Sequence, residues 1–323
     1  MKSFVKFAGI ALGVLILAIA ALLSYVKFAL PKVDPTPEMS VKPNDYLLKR
    51  GEYLANHVTV CMDCHSERDW TKFSAPLKEV TLGKGGDRFD TSMGFPGTFY
   101  AKNITPAGIG HWTDGELYRA ITTGVTPDGR ALFPVMPYLS YGKMDPSDVQ
   151  AIIAYVRSLS PIESQIPERS FEFPMNFIIN TIPQNAKPSK MPSPDQVLAY
   201  GEYLTTIAAC GDCHTPQDKG APLPGMAFAG GFEFKMPFGT LRSANITPHA
   251  SGIGEWSKEA FINKFKTYAD SSYLTKTVDA DAFNTVMPWV MYSGMTEQDL
   301  GAIYEYLQSL APVENKVERL SKN

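Results

Sequence analysis

Two kinds of hydrophobic pattern divide the chain. Phe7 to Val26 is a run of twenty residues without a charged side chain, and Lys6 and Lys27 flank it. A membrane-spanning helix needs about 20 apolar residues, whereas the core of a signal peptide needs only about 7–15. The length favours a retained anchor over a cleaved signal, for which Ala18-Ile19-Ala20 would supply a cleavage site. Either interpretation exports the rest of the chain, and the lysines before the run indicate that its N-terminus stays inside.

Beyond this run the hydrophobic positions follow a helical period. Gly51 to Thr59 and Gly201 to Ala208 are expected to form helices that lead into two cysteine motifs. No segment shows the alternating pattern of a strand. Further helix starts are marked by four capping residues, which are Thr113, Asp145, Ser257 and Thr296. The sequence therefore predicts an all-α fold, with two tandem domains after an N-terminal transmembrane helix.

The same short segments occur twice in the same order, which indicates a duplicated domain. They are Gly-Glu-Tyr-Leu at 51–54 and 201–204, Cys-x-x-Cys-His at 61–65 and 210–214, Asn-Ile-Thr-Pro at 103–106 and 245–248, Gly-Ile-Gly-x-Trp at 108–112 and 252–256, and Met-Pro at 136–137 and 287–288. We predict an anchor or signal sequence at 1–30, a tether at 31–46, a first domain at 47–161, a proline-rich connector at 162–195, a second domain at 196–313 and a tail at 314–323. A loop at 270–281 lengthens the second copy, and we expect it to select a partner.

Composition narrows the class of protein. A chain of 323 residues suits about two domains. The formal net charge of −3 argues against a nucleic-acid partner, which would need a basic surface. The chain has only four cysteines, and all of them lie in the two repeated motifs.

Each cysteine motif has the spacing of a covalent haem attachment. Two thiols on one turn add to the two vinyl groups of a haem, and the histidine that follows faces the iron. The alternatives are a disulfide, a thioredoxin-like redox pair and a shared zinc site. A redox pair does not need the histidine, and zinc motifs usually lie tens of residues apart rather than 149. We therefore predict two covalently bound haem c groups, attached and ligated by Cys61, Cys64 and His65 and by Cys210, Cys213 and His214.

The sixth iron ligand is sought among side chains that both copies share. The three remaining histidines have no counterpart in the other copy, whereas two methionine pairs do. Met144 and Met295 directly precede a helix cap, so packing in a hydrophobic staple explains them. Met136 and Met287 each precede a proline in an irregular stretch. We predict that these two are iron ligands rather than residues that fill gaps in the core.

Other candidate residues follow from hydrogen bonding around the haem. A ligating histidine usually donates its second ring N–H to a carbonyl, and Pro76 and Pro222, shortly after the motifs, are candidate carbonyl sources. Four repeated side chains with N–H groups are candidate donors to haem propionates: Asn103, Asn245, Trp112 and Trp256. The alternative is that the asparagines form turns and the tryptophans fill the core.

These motifs resemble those of class I c-type cytochromes, most of all the cytochrome c subunits of bacterial membrane-associated alcohol, aldehyde and gluconate dehydrogenases. The resemblance extends from Asp45 to Val313 and includes Phe-x-Phe-Pro-Met-Asn at 171–176. It implies two cytochrome c domains, at 47–161 and 196–313, with His/Met ligation and a mostly helical fold. It also implies electron transfer from a dehydrogenase or quinol towards an oxidase. Those subunits commonly carry three haems, whereas this chain has two motifs.

The motifs favour an electron carrier over an enzyme that acts alone. A His/Met iron has no open coordination position, and a methionine ligand raises its reduction potential. We expect a single-pass protein of the bacterial inner membrane with periplasmic haem domains. Its redox partners would be a dehydrogenase or quinol-oxidising complex and a terminal oxidase or soluble cytochrome. The alternatives are a subunit of a haem–copper oxidase and, less favoured because both copies keep the methionine, a dihaem enzyme such as a peroxidase.

Overall fold

A computed structural model describes residues 2–270, 272, 276–279 and 282–322. Half of the loop at 270–281, which we expect to select a partner, therefore lies outside the described residues. Helix α1 spans Lys2–Phe28. Within the described part of the chain it is the one helix long and apolar enough to cross a membrane, and its most apolar stretch is uncovered by the rest of the protein.

The first copy is built from short helices whose starts match the predicted caps. Thr113 accepts the N–H of Glu116 while the Glu116 carboxylate accepts the N–H of Thr113, so both halves of a capping box are present. Asp145 accepts the N–H of Ser147 at 2.8 Å. The helices are α2 (Asp45–Tyr53), which continues as a π-helical turn (Leu54–Val58), α3 (Cys61–Cys64), α4 (Pro106–Ile109), α5 (Asp114–Thr123), α6 (Tyr138–Tyr141) and α7 (Pro146–Ser158).

After a short helix in the connector, the second copy repeats this order, except that its described residues form turns where α4 stands in the first copy. Ser257 accepts the N–H of Ala260, and Thr296 accepts the N–H of Asp299, each at 3.1 Å. All four predicted caps are therefore confirmed. The helices are α8 (Met175–Ile178) in the connector, then α9 (Val197–Ile207), α10 (Cys210–His214), α11 (Lys258–Lys266), α12 (Trp289–Tyr292) and α13 (Glu297–Ser309).

The prediction of an all-α fold is wrong, because the described chain also contains three small antiparallel sheets. A strand is recognised in a sequence by alternation over about four to eight residues. Five of these strands have only two residues, and the other three have four, the lower end of that range. Two of the sheets are completed by a strand remote in sequence, from the connector and from the tail. The sheets are β1 (Arg88–Phe89), β2 (Gly97–Tyr100) and β3 (Ser170–Phe171); β4 (Gln217–Asp218) and β5 (Ala221–Pro222); and β6 (Glu233–Met236), β7 (Gly239–Arg242) and β8 (Leu320–Ser321).

The first and last long helices of each copy, α2 with α7 and α9 with α13, cross at a glycine. A Cβ atom on Gly51 would lie 1.9 Å from the carbonyl oxygen of Ala151, and one on Gly201 would lie 2.0 Å from that of Ala302. No side chain fits at such a distance, so the repeated Gly-Glu-Tyr-Leu segment exists in part to let the two helix backbones touch. This crossing forms the core of each copy and positions the cysteine motif that follows.

A reciprocal pair of tyrosines joins the two copies. Tyr203 of the second copy donates its hydroxyl to Asp148 of the first at 2.7 Å, and Tyr53 of the first copy donates to Asp299 of the second. Both aspartates are buried at the start of the last long helix of their copy. Each tyrosine oxygen also accepts the backbone N–H of the capping residue in the opposite copy at 3.1 Å.

The two halves of this interface differ in charge. Arg50 donates two 2.8 Å hydrogen bonds to Asp148 and so neutralises it. At the matching place in the second copy, Tyr200 donates to Asp299 at 2.9 Å and brings no charge. The interface is therefore symmetric in shape but not in electrostatics.

The proline-rich connector packs on the first copy. Ile179 is buried, and the N–H of Lys187 donates to the carbonyl of Gly142 at 2.8 Å. The side chain of Asn180 donates to the carbonyl of Val26 at 3.3 Å, which joins the connector to the end of α1.

Candidate functional site

Each cysteine motif occupies one short helical turn that follows a sharp reversal of the chain. The residue before the first cysteine is left-handed in both copies, with φ of 45° at Val60 and 54° at Ala209. A β-branched residue rarely adopts this conformation. Buried tyrosines secure the ends of the preceding helices, since Tyr141 donates to the carbonyl of Thr59 at 2.7 Å and its repeat Tyr292 does the same to Ala208 at 2.8 Å. The reversal therefore sets the direction in which the motif leaves its helix.

The histidine of each motif is held through one ring nitrogen. His65 Nδ1 lies 2.6 Å from the carbonyl oxygen of Lys102, and His214 Nδ1 lies 2.7 Å from that of Ala244. A hydrogen bond from Nδ1–H leaves Nε2 as the nitrogen with a free lone pair. Burial lowers the pKa of both rings, which favours the neutral imidazole that binds metal.

The carbonyl sources are therefore not the predicted prolines. The carbonyl oxygen of Pro76 accepts the N–H of Asp69, and Pro222 lies in the exposed strand β5. The observed carbonyls belong to residues 37 and 30 positions beyond their histidines, in a separate loop. Proximity along the chain led to the wrong residues.

The repeated Asn-Ile-Thr-Pro segment directly follows each of these carbonyls, and its asparagine fixes the loop. Asn103 accepts from the N–H and hydroxyl of Thr105 and donates to the carbonyl of Ile162 at 2.8 Å. Asn245 repeats this with Thr247 and the carbonyl of Val313 at 2.9 Å. The amide donors that we predicted for haem propionates are thus occupied by protein partners. These asparagines instead orient the peptide that holds the histidine.

A glycine completes each histidine loop. The N–H of Gly85 donates to the carbonyl of His65 at 2.8 Å, and that of Gly230 donates to His214 at 2.7 Å. Both glycines have φ above 70°, and a Cβ on either would lie within 2.6 Å of the peptide that follows Lys102 or Ala244. Only glycine allows this approach. Sequence analysis missed the pair, although Gly-Gly occurs in both copies, at 85–86 and 230–231.

The two repeated tryptophans, Trp112 and Trp256, lie nearer the surface than the two asparagines. Trp112 is half-buried and Trp256 is 38% exposed. In the described part of the chain, neither indole N–H has a hydrogen-bond partner, whereas the backbone carbonyl of each accepts a bond from the last long helix of its copy. Their role towards the propionates stays a prediction.

The two methionine pairs differ in burial and in surroundings. Met144 and Met295 are each 1% exposed and lie just before the caps of α7 and α13, beside the fully buried Val149 and Leu300, as expected of a staple. Met136 and Met287 are only partly buried and pack at the edge of the core. Each precedes a proline in a tight turn, in which the second residue after the methionine donates its N–H back to the methionine carbonyl at 2.8 Å.

A buried charge cluster distinguishes the first site from the second. Arg68 pairs with Asp63 at 3.0 Å and with Asp87 at 2.9 Å, and its guanidinium lies over the Trp70 ring. In the second motif the matching Asp212 instead accepts a 3.2 Å bond from Ser140 of the first copy. The second motif therefore carries a carboxylate without an arginine partner.

The donor set fits a covalently attached haem better than the alternatives. All four cysteines are free of disulfides. Burial raises the pKa of the Cys61 and Cys64 thiols. No three His, Cys, Asp or Glu side chains converge as a metal site among residues that the structure describes. Tyr138, two residues after Met136, is fully buried, and among the described residues its hydroxyl has no hydrogen-bond partner. A buried hydroxyl without a protein partner is expected where a bound group supplies the hydrogen bond.

These two sites are of the kind found in c-type cytochromes, and comparison with known proteins agrees. Residues 198–311 match the family model for cytochrome c. This match identifies a cytochrome c domain in the second copy, and the cofactor that such a domain carries is covalently bound haem c.

Three relatives show what the whole chain is similar to. It is 28% identical to the cytochrome c subunit of a quinone-dependent alcohol dehydrogenase from Komagataeibacter europaeus, over 83% of this chain and 56% of that one. It is 29% identical to the cytochrome c subunit of gluconate 2-dehydrogenase from Pantoea cypripedii, over 83% of this chain and 60% of that subunit. It is 29% identical to a diheme cytochrome c-type protein from Cereibacter sphaeroides, over 79% of this chain and 83% of that protein. The predicted resemblance to cytochrome c subunits of dehydrogenases is confirmed, although the chain spans little more than half the length of those subunits.

Proposed function

We propose that this chain is a two-haem electron carrier, anchored in the bacterial inner membrane by α1, with its haem domains on the periplasmic face. It accepts electrons from a dehydrogenase or quinol-oxidising complex and passes them towards a terminal oxidase. The observation that carries this proposal is the repetition of one site geometry. Both copies hold the motif histidine on the carbonyl before Asn-Ile-Thr-Pro and present a methionine on a Met-Pro turn.

The residues of each site have separate tasks in this proposal. The cysteines attach the haem, and the histidine and methionine (His65 with Met136, His214 with Met287) bind its iron. Haem c supplies a one-electron couple when it is bound. The Nδ1 hydrogen bond fixes the tautomer and the ring orientation of each histidine. Because a thioether ligand favours the reduced metal, the methionines raise the potential into the range that suits a carrier on the oxidase side.

A dehydrogenase as electron donor is supported by the relatives, several of which are cytochrome c subunits of dehydrogenases. A subunit of a haem–copper oxidase is the second candidate, and it has the same chemistry with a different partner. Purification from detergent-solubilised membranes separates the two. Recovery of a dehydrogenase with the chain supports the proposal, and recovery of an oxidase core in fixed stoichiometry contradicts it.

Haem stoichiometry is the first test of the cofactor. The denatured, acid-extracted chain should keep two haems because thioether bonds are covalent. Cys61→Ala with Cys64→Ala should leave one haem, and Cys210→Ala with Cys213→Ala should leave the other. Loss of both haems from the denatured wild-type chain would refute covalent attachment.

Ligand binding tests the distinction between carrier and enzyme. A six-coordinate iron leaves no site for carbon monoxide, so the reduced wild-type protein should bind it poorly. Met136→Ala and Met287→Ala should each open one haem to carbon monoxide and lower its potential, and Met144→Ala is the matched control that should open neither. Ready binding by the unmutated protein would favour a peroxidase-like enzyme.

A further inference from the structure

The Met-Pro turn of the second site is held by a residue of the first copy. The hydroxyl of Ser74 donates to the carbonyl of Met287 at 2.7 Å and accepts the N–H of Trp289 at 3.1 Å. The backbone N–H of Ser74 donates to the side chain of Asn284 at 2.9 Å. Ser74 is 3% exposed, so water does not compete for these bonds. One hydroxyl therefore bonds to two main-chain groups of the turn that begins at the methionine.

The segment around Ser74 is built to reach this position. Ser74 and Ala75 both have left-handed φ, of 61° and 45°. Two consecutive non-glycine residues in that region are costly, so the surrounding contacts must stabilise them. Asn284 supplies part of this by donating to the carbonyl of Lys72 at 3.0 Å. Phe73 adds to it by stacking on Tyr268, which in turn stacks on Trp289 at 4.9 Å.

The first site has the same turn without the support. The N–H of Tyr138 closes the turn at Met136 as the N–H of Trp289 does at Met287, both at 2.8 Å. Among hydrogen bonds of the described residues, those to the Met136 backbone come only from its own copy. Both copies carry Ala-Pro-Leu, at 75–77 and 221–223, so the residue that matches Ser74 is Gly220, which is exposed and has no hydroxyl. The support therefore runs in one direction, from the first copy to the second.

We propose that Ser74 is a positioning residue for the Met287 ligand, so that the folded first domain controls axial ligation of the second haem. This inference rests on the proposed ligation by Met287. The hydroxyl holds the peptide that carries the methionine, and this restricts the directions in which the thioether can point. Without it, Met287 leaves the iron more often and competing ligands gain access to the second haem only.

The test is a titration of the oxidised two-haem protein with imidazole, which competes with a methionine for ferric iron. In Ser74→Ala one of the two binding phases should tighten by at least about fivefold, the factor that corresponds to about 1 kcal/mol for each of the two hydrogen bonds lost. The other phase should be unchanged. Ser74→Gly should behave alike, because glycine also lacks the hydroxyl and adopts the left-handed backbone without strain, so an effect shared by both variants comes from the lost hydroxyl. Tyr53→Phe is the control, since it removes a bond between the copies away from Met287.

Double variants show which haem responds. Ser74→Ala should add nothing to Met287→Ala, because the ligand is already gone, but it should add its full effect to Met136→Ala. The inference would be overturned if Ser74→Ala and Ser74→Gly bind imidazole with the same affinity as the wild type in each of the two phases. Tight imidazole binding at both haems of the wild type, without the long-wavelength iron–methionine absorption band, would instead refute the proposed ligation.

Discussion

Removal of Arg50 tests how much the interface between the copies depends on a neutralised charge. The Asp148 side chain is only 4% exposed, and Arg50 donates two 2.8 Å bonds to it. Arg50→Met keeps an unbranched apolar stem but leaves a buried carboxylate without its cation. Breaking a buried pair in this way costs about 3–5 kcal/mol. Because Tyr203 still donates to Asp148, we expect the lower end, about 3 kcal/mol.

The measurement is unfolding of the holoprotein in detergent by guanidinium, followed through the helical circular dichroism signal. Arg130→Met is the matched control, since Arg130 pairs with Asp128 where both side chains are more than half exposed, and its loss should cost less than about 1 kcal/mol. Arg50→Met combined with Asp148→Asn removes the buried charge as well and should recover most of the stability. A cost below about 1 kcal/mol for Arg50→Met, or no recovery in the double variant, would refute the reasoning.

Three further results are expected. Gly51→Ala should destabilise the protein by about 1–3 kcal/mol in the same assay because its methyl meets a backbone carbonyl. Gly301→Ala, whose methyl meets only the side chains of Lys258 and Ile262 at 3.5 Å or more, should be neutral or stabilising, and equal effects would contradict the crossing argument. Met144→Ala should cost about 2 kcal/mol or more from a lost core side chain, with the haem spectrum unchanged, and a high-spin spectrum would show that the ligand was misassigned. A chain that carries a cleavable export signal in place of residues 2–28 should leave the membrane fraction with its spectrum intact, and retention there would mean that another surface binds the membrane.

The sequence was sufficient wherever a local rule decides the structure. The four helix caps and the buried methionines Met144 and Met295 follow from the order of polar and apolar residues at a helix start, and the structure confirms them. The duplication gave a second kind of signal. A side chain that occurs at the same place in both copies, in a stretch without regular secondary structure, indicates a role other than helix packing. The prediction that Met136 and Met287 are iron ligands rests on this repetition.

The contacts that sequence analysis missed join residues far apart in the chain. Lys102 and Ala244 act through a backbone carbonyl, which every residue has, so no side chain marks them. Strands β3 and β8 have two residues each and pair with partners many residues away, which leaves no periodic signal. Ser74 is a small polar residue in a loop, and only the fold shows that it reaches the turn of the opposite copy.

The crossed tyrosines also bear on how a protein of this shape arises. An interface in which residue i of one copy meets residue j of the other, and j meets i, is isologous, the kind of contact that twofold homodimers make. A single-domain ancestor with a tyrosine and an aspartate at these places would already hold both halves of the contact. Joining two such copies by a connector turns association between molecules into association within one chain, which no longer depends on protein concentration. The two halves are then free to diverge, and the difference between Arg50 and Tyr200 at matching positions is one that a dimer of identical chains cannot have.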